Sequence, residues 1–299
     1  MVDGRHLANG AGYYAFVILL IPAYVTEVTG NAADAGVVMA ILGLAAVVGP
    51  AVGRFADRHL AHRAVLSLGV LAMSLAFAAY ALSAERTALY ALEALLLGLG
   101  VAAVNAIGPA FIVGAQLPAS LEARRLSTYD LISPVGQLLG GLVLAAVALA
   151  GWSFPARFWL ASAVLAVIAA ITWFNSREPT ERLHAAMREP TDDREDGTDH
   201  GTRRPNRCQL LLSTFGLYVL ILVLSSVAYN GIINQISNIL PNVYGISAAR
   251  TAGLISLAGL LNIGVYVIGG RWMGRAGLAP VLVTGHAMRL IGALGMALL

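Results

Sequence analysis

The chain is built from repeated apolar runs of roughly 20 residues, and these runs limit its fold more than any other feature. Each run is long enough to cross the hydrocarbon core of a bilayer, about 30 Å, as a helix. Across the 299 residues, 58% are hydrophobic and only 12% are charged. A membrane barrel would instead show alternating segments of about 10 residues, which the sequence lacks. We therefore predict an all-α, polytopic membrane protein.

The apolar runs predict nine transmembrane helices. Their approximate bounds are 7 to 28, 35 to 53, 64 to 83, 87 to 113, 128 to 150, 155 to 175, 210 to 240, 248 to 270 and 279 to 299.

The distribution of arginine predicts the orientation of the chain. All 19 basic residues are Arg, which favours a GC-rich, prokaryotic genome. With the N-terminus inside, 15 of them lie on the cytoplasmic side, three lie outside and one lies within a span. Cytoplasmic loops carry an excess of basic residues. We therefore expect a multi-pass protein of the prokaryotic plasma membrane with a cytoplasmic N-terminus.

A charged segment divides the chain into two helical regions. Residues 176–208 contain many charges and few large apolar side chains, which predicts a disordered cytoplasmic linker. The linker follows a six-helix bundle at 1–175 and precedes the first three helices of a second bundle at 209–299. These are the domain boundaries that we predict.

An internal repeat relates the two halves. An offset of 217 aligns Gly36 with Gly253, Gly53 with Gly270, and Arg54 with Arg271. Parallel repeats six spans apart are typical of two-bundle secondary transporters. The same offset places the end of a complete second bundle near residue 392, since 175 + 217 = 392. We therefore expect a C-terminally truncated transporter, or one whose missing helices a separate polypeptide supplies.

The loop between predicted spans two and three carries a family signature. The stretch "GRFADRHLAHR" (53–63) resembles Gly-x-Leu-Ala-Asp-Arg-x-Gly-Arg-Arg of the major facilitator superfamily, although Leu60 replaces the second Gly. The matching residues are Gly53, Ala56, Asp57 and Arg58. The resemblance covers all nine spans, the linker and the repeat. It implies a secondary active transporter that moves a small solute by alternating access.

The same loop supplies the predicted gating residues, which are Gly53, Asp57, Arg58 and Arg63. We expect Gly53 to let the helix end pack closely, and Asp57 to accept hydrogen bonds from the first N–H groups of the next helix. The resemblance implies that Asp57 and Arg58 help to lock one face shut while the other opens. The alternative is a short loop that only follows the positive-inside rule.

An asparagine row gives the main substrate-binding prediction. In "NGIINQISN" (230–238), Asn230, Asn234 and Asn238 recur at every fourth residue. At 100° per residue they lie opposite the Ile and Leu side chains of a continuous helix. Amides in hydrocarbon need a partner. Because the family resemblance implies that span seven lines a cavity, we expect the row to face a water-filled vestibule. Alternatively, the helix stops near Tyr229 and the asparagines lie in an external loop.

Other polar residues within the spans are further candidates. Glu93 lies about two turns into span four, where a carboxylate is costly and functional by default. We predict that it couples transport to protons; the alternative is a residue close enough to the interface to stay wetted. Four more residues are candidates for the cavity wall: Asn9, Tyr13, Tyr14 and Asn105.

Two enzyme classes receive little support. "DDRED" (192–196) fits the Mg-diphosphate motif of prenyltransferases, but it lies in the linker and no second Asp-rich motif accompanies it. "HLAH" (59–62) has metal-like spacing, but six His in the whole chain cannot build a membrane di-iron enzyme. We expect no catalytic residue, cofactor or metal. The expected partners are a small solute, protons and the lipid bilayer, but not nucleic acid. A non-transporting receptor or interaction protein is the remaining alternative.

Overall fold

The computed structural model describes residues 10–83, 86–113, 119–188, 220, 223–224, 227, 229–276 and 278–298. Every regular element in these ranges is a helix, which confirms the predicted all-α class. The described residues form two compact units. The first combines those within Met1–Met187 and Asn234–Gly270, and the second combines those within Arg188–Ile233 and Arg271–Leu299. The division into transport bundles at 175 and 208 stays a prediction.

The part before the linker starts with a π-helical segment, Gly10–Val17, which continues directly into the first α-helix. The α-helices that follow are α1 (Ile18–Thr29), α2 (Ala32–Ala46), α3 (Gly49–His59), α4 (His62–Ser83), α5 (Thr87–Val113), α6 (Ala119–Leu149), α7 (Phe154–Asn175) and α8 (Arg177–Arg188). The last three described helices are α9 (Ile236–Tyr244), α10 (Ala248–Ala276) and α11 (Leu278–Leu298).

Six of the described helices are long and apolar enough to cross a membrane. Helices α2 and α3 count as one of them, because a short break at 47–48 joins them into a single apolar stretch. A shorter apolar helix, Ala15–Thr29, precedes them. The number nine therefore stays a prediction. We call the end that carries the α1–α2, α4–α5, α6–α7 and α9–α10 connections the outer end, after the predicted orientation.

In the part before the linker, the most extensive helix packing involves α4 and α5. Helix α4 packs against both α5 and α7, and α2 packs against α5. The backbones of α4 and α5 come into contact at two glycines, Gly69 and Gly100. A Cβ added to Gly100 would lie 2.6 Å from the Gly69 carbonyl oxygen. Toward the outer end the core is aromatic, with Tyr80 stacked on Phe158 at a centroid distance of 5.4 Å and Tyr24 edge-on to Phe158 at 5.0 Å. This dense packing makes the bundle a rigid support for the polar groups within it.

Two helix pairs show the same construction, in agreement with the predicted repeat. Helices α1 and α9 both end at a left-handed glycine, Gly30 with φ 70° and Gly245 with φ 66°. The following helix is capped by a side chain in each case. Asn31 Oδ1 accepts from Ala33 N–H at 3.0 Å, and Ser247 Oγ accepts from Arg250 N–H at 3.4 Å. The same helix end, followed by a capped helix start, therefore recurs after 215 residues, from Gly30 to Gly245.

The linker prediction is wrong at its start. Residues 177–188 form α8, an amphipathic helix rather than a disordered segment. Its buried face carries Thr180 and Leu183, while two i,i+4 ion pairs stabilise the exposed face: Arg177 with Glu181, and Arg182 with Glu178. Residues 189–208, including the "DDRED" motif, lie outside the described residues.

The prediction of one continuous helix through the asparagine row is also wrong. Residues 229–233 are helical, but the chain turns at Asn234 and Gln235 before α9 begins at Ile236. The physical reason is low helix propensity, since both Gly231 and Asn234 disfavour a helix interior. The second helix restarts where Asn238 N–H donates to the Gln235 carbonyl at 2.9 Å. The three asparagines therefore do not share one uninterrupted helix face.

Candidate functional site

The signature loop contains a hydrogen-bonded chain of three side chains. His62, at the start of α4, is fully buried, and its Nε2 lies 2.8 Å from Asp57 Oδ1. Its Nδ1 lies 3.2 Å from His184 Nε2 on α8. Because an ionised carboxylate only accepts, His62 Nε2 donates to Asp57, while His62 Nδ1 and His184 Nε2 share the second hydrogen bond. This hydrogen-bonded chain joins the α3–α4 connection to α8, the helix that follows α7.

This geometry changes the predicted role of Asp57. We expected its carboxylate to cap the first N–H groups of α4, but its hydrogen-bond partner is the His62 ring. The carboxylate side chain remains 56% exposed, so it can also reach a partner in solution. Sequence reasoning considered His62 as part of the metal-like spacing in "HLAH" and did not single out His184. A buried His near a signature Asp was the available signal.

The other predicted gating residues lie nearby. Arg63 holds the end of α7: its Nε donates to the Trp173 carbonyl at 2.9 Å, and its guanidinium lies 4.1 Å from the centroid of the Trp173 ring. Arg58 is exposed and borders an open cleft at the end of α3. Gly53 does not need to be glycine for close packing, because an added Cβ would meet Ala106 at an ordinary 3.9 Å. That expectation is therefore wrong.

The two histidines of "HLAH" point to different surroundings. His59 is exposed and packs on Phe55 with a ring-centroid distance of 4.6 Å, whereas His62 is buried. The described part of the chain contains no group of three His, Cys, Asp or Glu side chains that could hold a metal ion.

Glu93 is buried within the bundle. Only 4% of the residue is exposed, and its Oε2 has no hydrogen-bond partner. The carboxyl group faces α4, where it meets the Ser83 side chain and lies near Tyr80. Tyr80 in turn donates to the Tyr90 carbonyl at 3.2 Å. In this conformation Glu93 is therefore not hydrated at the membrane interface, because its carboxyl group lies beside Tyr80 in the aromatic core at the outer end.

The asparagine row is divided by the turn. Asn230 lies in the second unit and is half-buried. Asn234 belongs to the first unit, and its Oδ1 is buried without a hydrogen-bond partner. Asn238 is buried, and its Nδ2 donates to Gln235 Oε1 at 2.9 Å. Of the two asparagines of the row that belong to the first unit, Asn234 is therefore the one with a buried amide oxygen that lacks a hydrogen-bond partner.

Of the four other residues predicted to line the cavity, only Asn105 has a described side chain. Asn105 is exposed on α5. The backbone of Tyr13 and Tyr14 belongs to the π-helical segment, but their side chains, like all of Asn9, lie outside the described residues.

Helices α6 and α10 meet across a glycine-lined contact. A Cβ on Gly259 would lie 2.9 Å from the Leu138 nitrogen and 3.0 Å from the Pro134 carbonyl oxygen. On α6, a Cβ added to Gly141 would meet the Ser256 side chain of α10. The two backbones therefore touch directly, and side chains do not interlock there. Such smooth contacts allow helices to approach closely in membranes.

Comparisons with known proteins agree with this architecture. The family model described as Major Facilitator Superfamily matches residues 6–299. No curated protein matches the chain significantly. A solved structure titled "Crystal structure of D-xylose-proton symporter" is similar with a TM-score of 0.51 and 15% identity, over 91% of this chain and 68% of that chain. At this identity the likeness supports the fold alone.

The family match extends over almost the whole chain, and the described helices have the length and apolar character of membrane spans. Together they place the protein in a membrane as a multi-pass carrier rather than an enzyme. The chain belongs to the Major Facilitator Superfamily.

Proposed function

We propose that the protein carries a small polar solute across the cell membrane by alternating access between two helical bundles, with coupling to protons. The observation that carries the proposal is the unsatisfied Oδ1 of Asn234, buried where the chain turns between two helical stretches. A buried carbonyl oxygen without a partner costs about 1–3 kcal/mol. Such a cost is tolerated where a ligand supplies the missing donor.

Glu93 is the proposed coupling residue. A carboxylate inside a membrane helix needs a proton, a cation or several donors to balance its charge. Around Glu93 the structure offers the Ser83 and Tyr80 side chains, but Oε2 remains without a partner. We propose that this oxygen takes up and releases the coupled proton.

The Asp57–His62–His184 chain is the proposed inner latch. It connects the α3–α4 loop to α8, and α8 continues directly from the sixth span. Arg63 adds a second connection from α4 to the end of α7. In this proposal Arg58 stays exposed to meet an acidic partner when the inner face closes.

Solute uptake tests the proposal. The purified full chain is reconstituted in liposomes, and a panel of radiolabelled sugars, amino acids and monocarboxylates is offered under an imposed pH gradient. For a transported member, we expect Asn234→Leu to lower uptake about tenfold, the loss of roughly one good hydrogen bond to a buried group. Asn242→Leu, a change at an exposed position of α9, is the matched control and should leave uptake unchanged.

The coupling role is read in the same assay. We expect Glu93→Gln to retain solute exchange without a gradient and to lose accumulation driven by the pH gradient. Asp34→Asn, which removes an exposed carboxylate near the outer end, should retain both. Equal accumulation by Glu93→Gln and wild type would remove Glu93 from coupling, and failure to transport any member of the panel would contradict transport itself.

A further inference from the structure

A small, partly open cavity lies at the outer end of the first unit. Its volume is about 30 Å³, room for about two water molecules, since one needs roughly 10–15 Å³. Helices α1, α6, α7, α9 and α10 all contribute to its wall. Its apolar wall includes Leu20, Leu144 and Phe154, and its polar wall consists of Arg157, Ser237 and Thr251. A cavity of this size accepts a small polar group.

Three of the residues that line the cavity each have a polar atom that is buried without a hydrogen-bond partner. These atoms are Arg157 Nε, Ser237 Oγ and Thr251 Oγ1. Ser237 is 6% exposed and Thr251 is 1% exposed, so bulk water does not satisfy their hydroxyl groups. Each buried group without a partner costs about 1–3 kcal/mol. All three can donate a hydrogen bond, and Arg157 Nε can only donate, so a ligand that the three share is an acceptor.

The surrounding charges favour an anionic acceptor. Arg157, Ser237 and Thr251 lie in the first turns of α7, α9 and α10, which begin at Phe154, Ile236 and Ala248. The positive ends of three helix dipoles therefore meet near the charge of Arg157. The Arg157 guanidinium also lies 4.9 Å from the centroid of the Phe154 ring, which holds it in place.

One acidic residue acts against this preference. Glu27 on α1 attracts Arg157 electrostatically, but it is exposed and does not line the cavity. Its hydrated carboxylate therefore reduces the positive potential without filling the site. Water alone could satisfy the hydroxyl groups, but it would bring no negative charge into the cavity beside Arg157.

We propose that this cavity is a binding site for a carboxylate, held by Arg157, Ser237 and Thr251, and that the carboxylate belongs to the transported solute. Two oxygens in one plane match a guanidinium edge together with hydroxyl donors. The assignment to the solute rests on the proposed transport function, whereas the site itself rests on the cavity and its three donors. A carboxylate bound there would join α7 to α9 and α10 at the outer end.

Thermal unfolding of the purified full chain tests the site without transport. Acetate replaces chloride at constant ionic strength, and acetamide serves as the neutral isostere. We expect acetate, but not acetamide, to raise the melting temperature saturably. Arg157→Gln should weaken acetate binding about tenfold or more, Arg157→Lys less, and Arg250→Gln, an exposed arginine at the same end, not at all. An equal acetate shift in Arg157→Gln, or an equal effect of acetamide, would overturn the site.

Two further variants keep the test decisive if Arg157→Gln does not fold. The double substitution Ser237→Ala, Thr251→Val removes both hydroxyl donors, and we expect it to weaken acetate binding about tenfold. Glu27→Gln removes the opposing charge and should tighten binding about threefold. Unchanged acetate affinity in the double variant would also overturn the site.

The source of the carboxylate is distinguished by counterflow of radiolabelled lactate in liposomes loaded with unlabelled lactate. Accumulation of label by wild type and Arg250→Gln, but not by Arg157→Gln, assigns the carboxylate to the solute. Acetate binding without lactate counterflow supports the site and overturns its assignment to this class of transported solute. Transport of another solute from the panel with no acetate binding overturns the site and leaves the transport function standing.

Discussion

Leu60 ends α3 in a conformation that suits glycine. Its φ is 49° and its ψ is 42°. Among the described residues, Leu60 is the single residue other than glycine that has a positive φ. In the family signature a glycine is usual here. The left-handed conformation costs about 1–2 kcal/mol for an ordinary residue, so this loop is strained in the present chain.

Replacing Leu60 with glycine should relieve that strain. Glycine loses about 0.5–1 kcal/mol through the greater freedom of the unfolded chain, so we expect Leu60→Gly to raise the free energy of unfolding by about 0.5 kcal/mol relative to wild type. Melting of the detergent-solubilised protein measures the change. Ala61→Gly, beside it in ordinary backbone, should lower the melting temperature. A Leu60→Gly protein less stable than Ala61→Gly would contradict the strain.

At the level of single residues, sequence reasoning found the polar groups but not their partners. Glu93 and Asp57 were recognisable because charged residues in or beside an apolar run need an explanation. The contact between His62 and His184 joins positions 122 residues apart, and no local pattern encodes such a pairing. Arg157, Ser237 and Thr251 were missed for the same reason, since each is unremarkable in its own helix turn.

Among the helices, α8 offers a direct test of the proposed Asp57–His62–His184 latch. Its buried face comprises Thr180 and Leu183, and beside them His184 reaches His62. We expect His184→Ala to increase hydrogen exchange of the α8 amides about fivefold, because the helix loses one anchor of about 1 kcal/mol. His184→Gln, which can still hydrogen-bond, should exchange more slowly than His184→Ala.

A matched substitution separates the latch from a general effect of losing histidine. His59 is exposed at the end of α3, so His59→Ala should leave exchange of the α8 amides unchanged. If His184→Ala exchanged no faster than His59→Ala, the contact with His62 would not hold α8 in place.

Helices that cross the membrane were the predictable elements. The bounds of α5 match the predicted span at 87 to 113, and α7 begins one residue before the predicted span at 155 to 175. Both bounds follow from apolar length, which the bilayer sets. Helix α8 and the turn at Asn234 were missed, because a short charged helix and a helix break depend on packing and on local propensity more than on hydropathy.

The molecule as a whole must move if it works by alternating access, and the α6–α10 contact is where that movement can be tested. Gly259 touches the α6 backbone, whereas a Cβ on Gly253, on the same helix, would meet nothing within 4 Å. Gly259→Ala should therefore push the helices apart and disfavour the present conformation by about 1–3 kcal/mol. Gly253→Ala should not.

Labelling of a cysteine in the contact measures this separation. In a Cys208→Ser background, Ser256→Cys lies at a position that is 1% exposed and should react slowly with a water-soluble maleimide. We expect Gly259→Ala to speed labelling about tenfold or more and Gly253→Ala to leave it unchanged. Equal labelling in the two variants would show that the contact stays closed.

The π-helical segment Gly10–Val17 has a consequence for how the first span tolerates change. Hydrogen bonds in a π-helix join residues five apart, where an α-helix joins residues four apart. The segment therefore uses more residues than an α-helix would need to cover the same distance along the helix axis. Loss of one residue there can be absorbed by rewinding to the tighter form, while α1 and the aromatic core beside it keep their register. A one-residue loss within α4 would instead rotate every following side chain by about 100°.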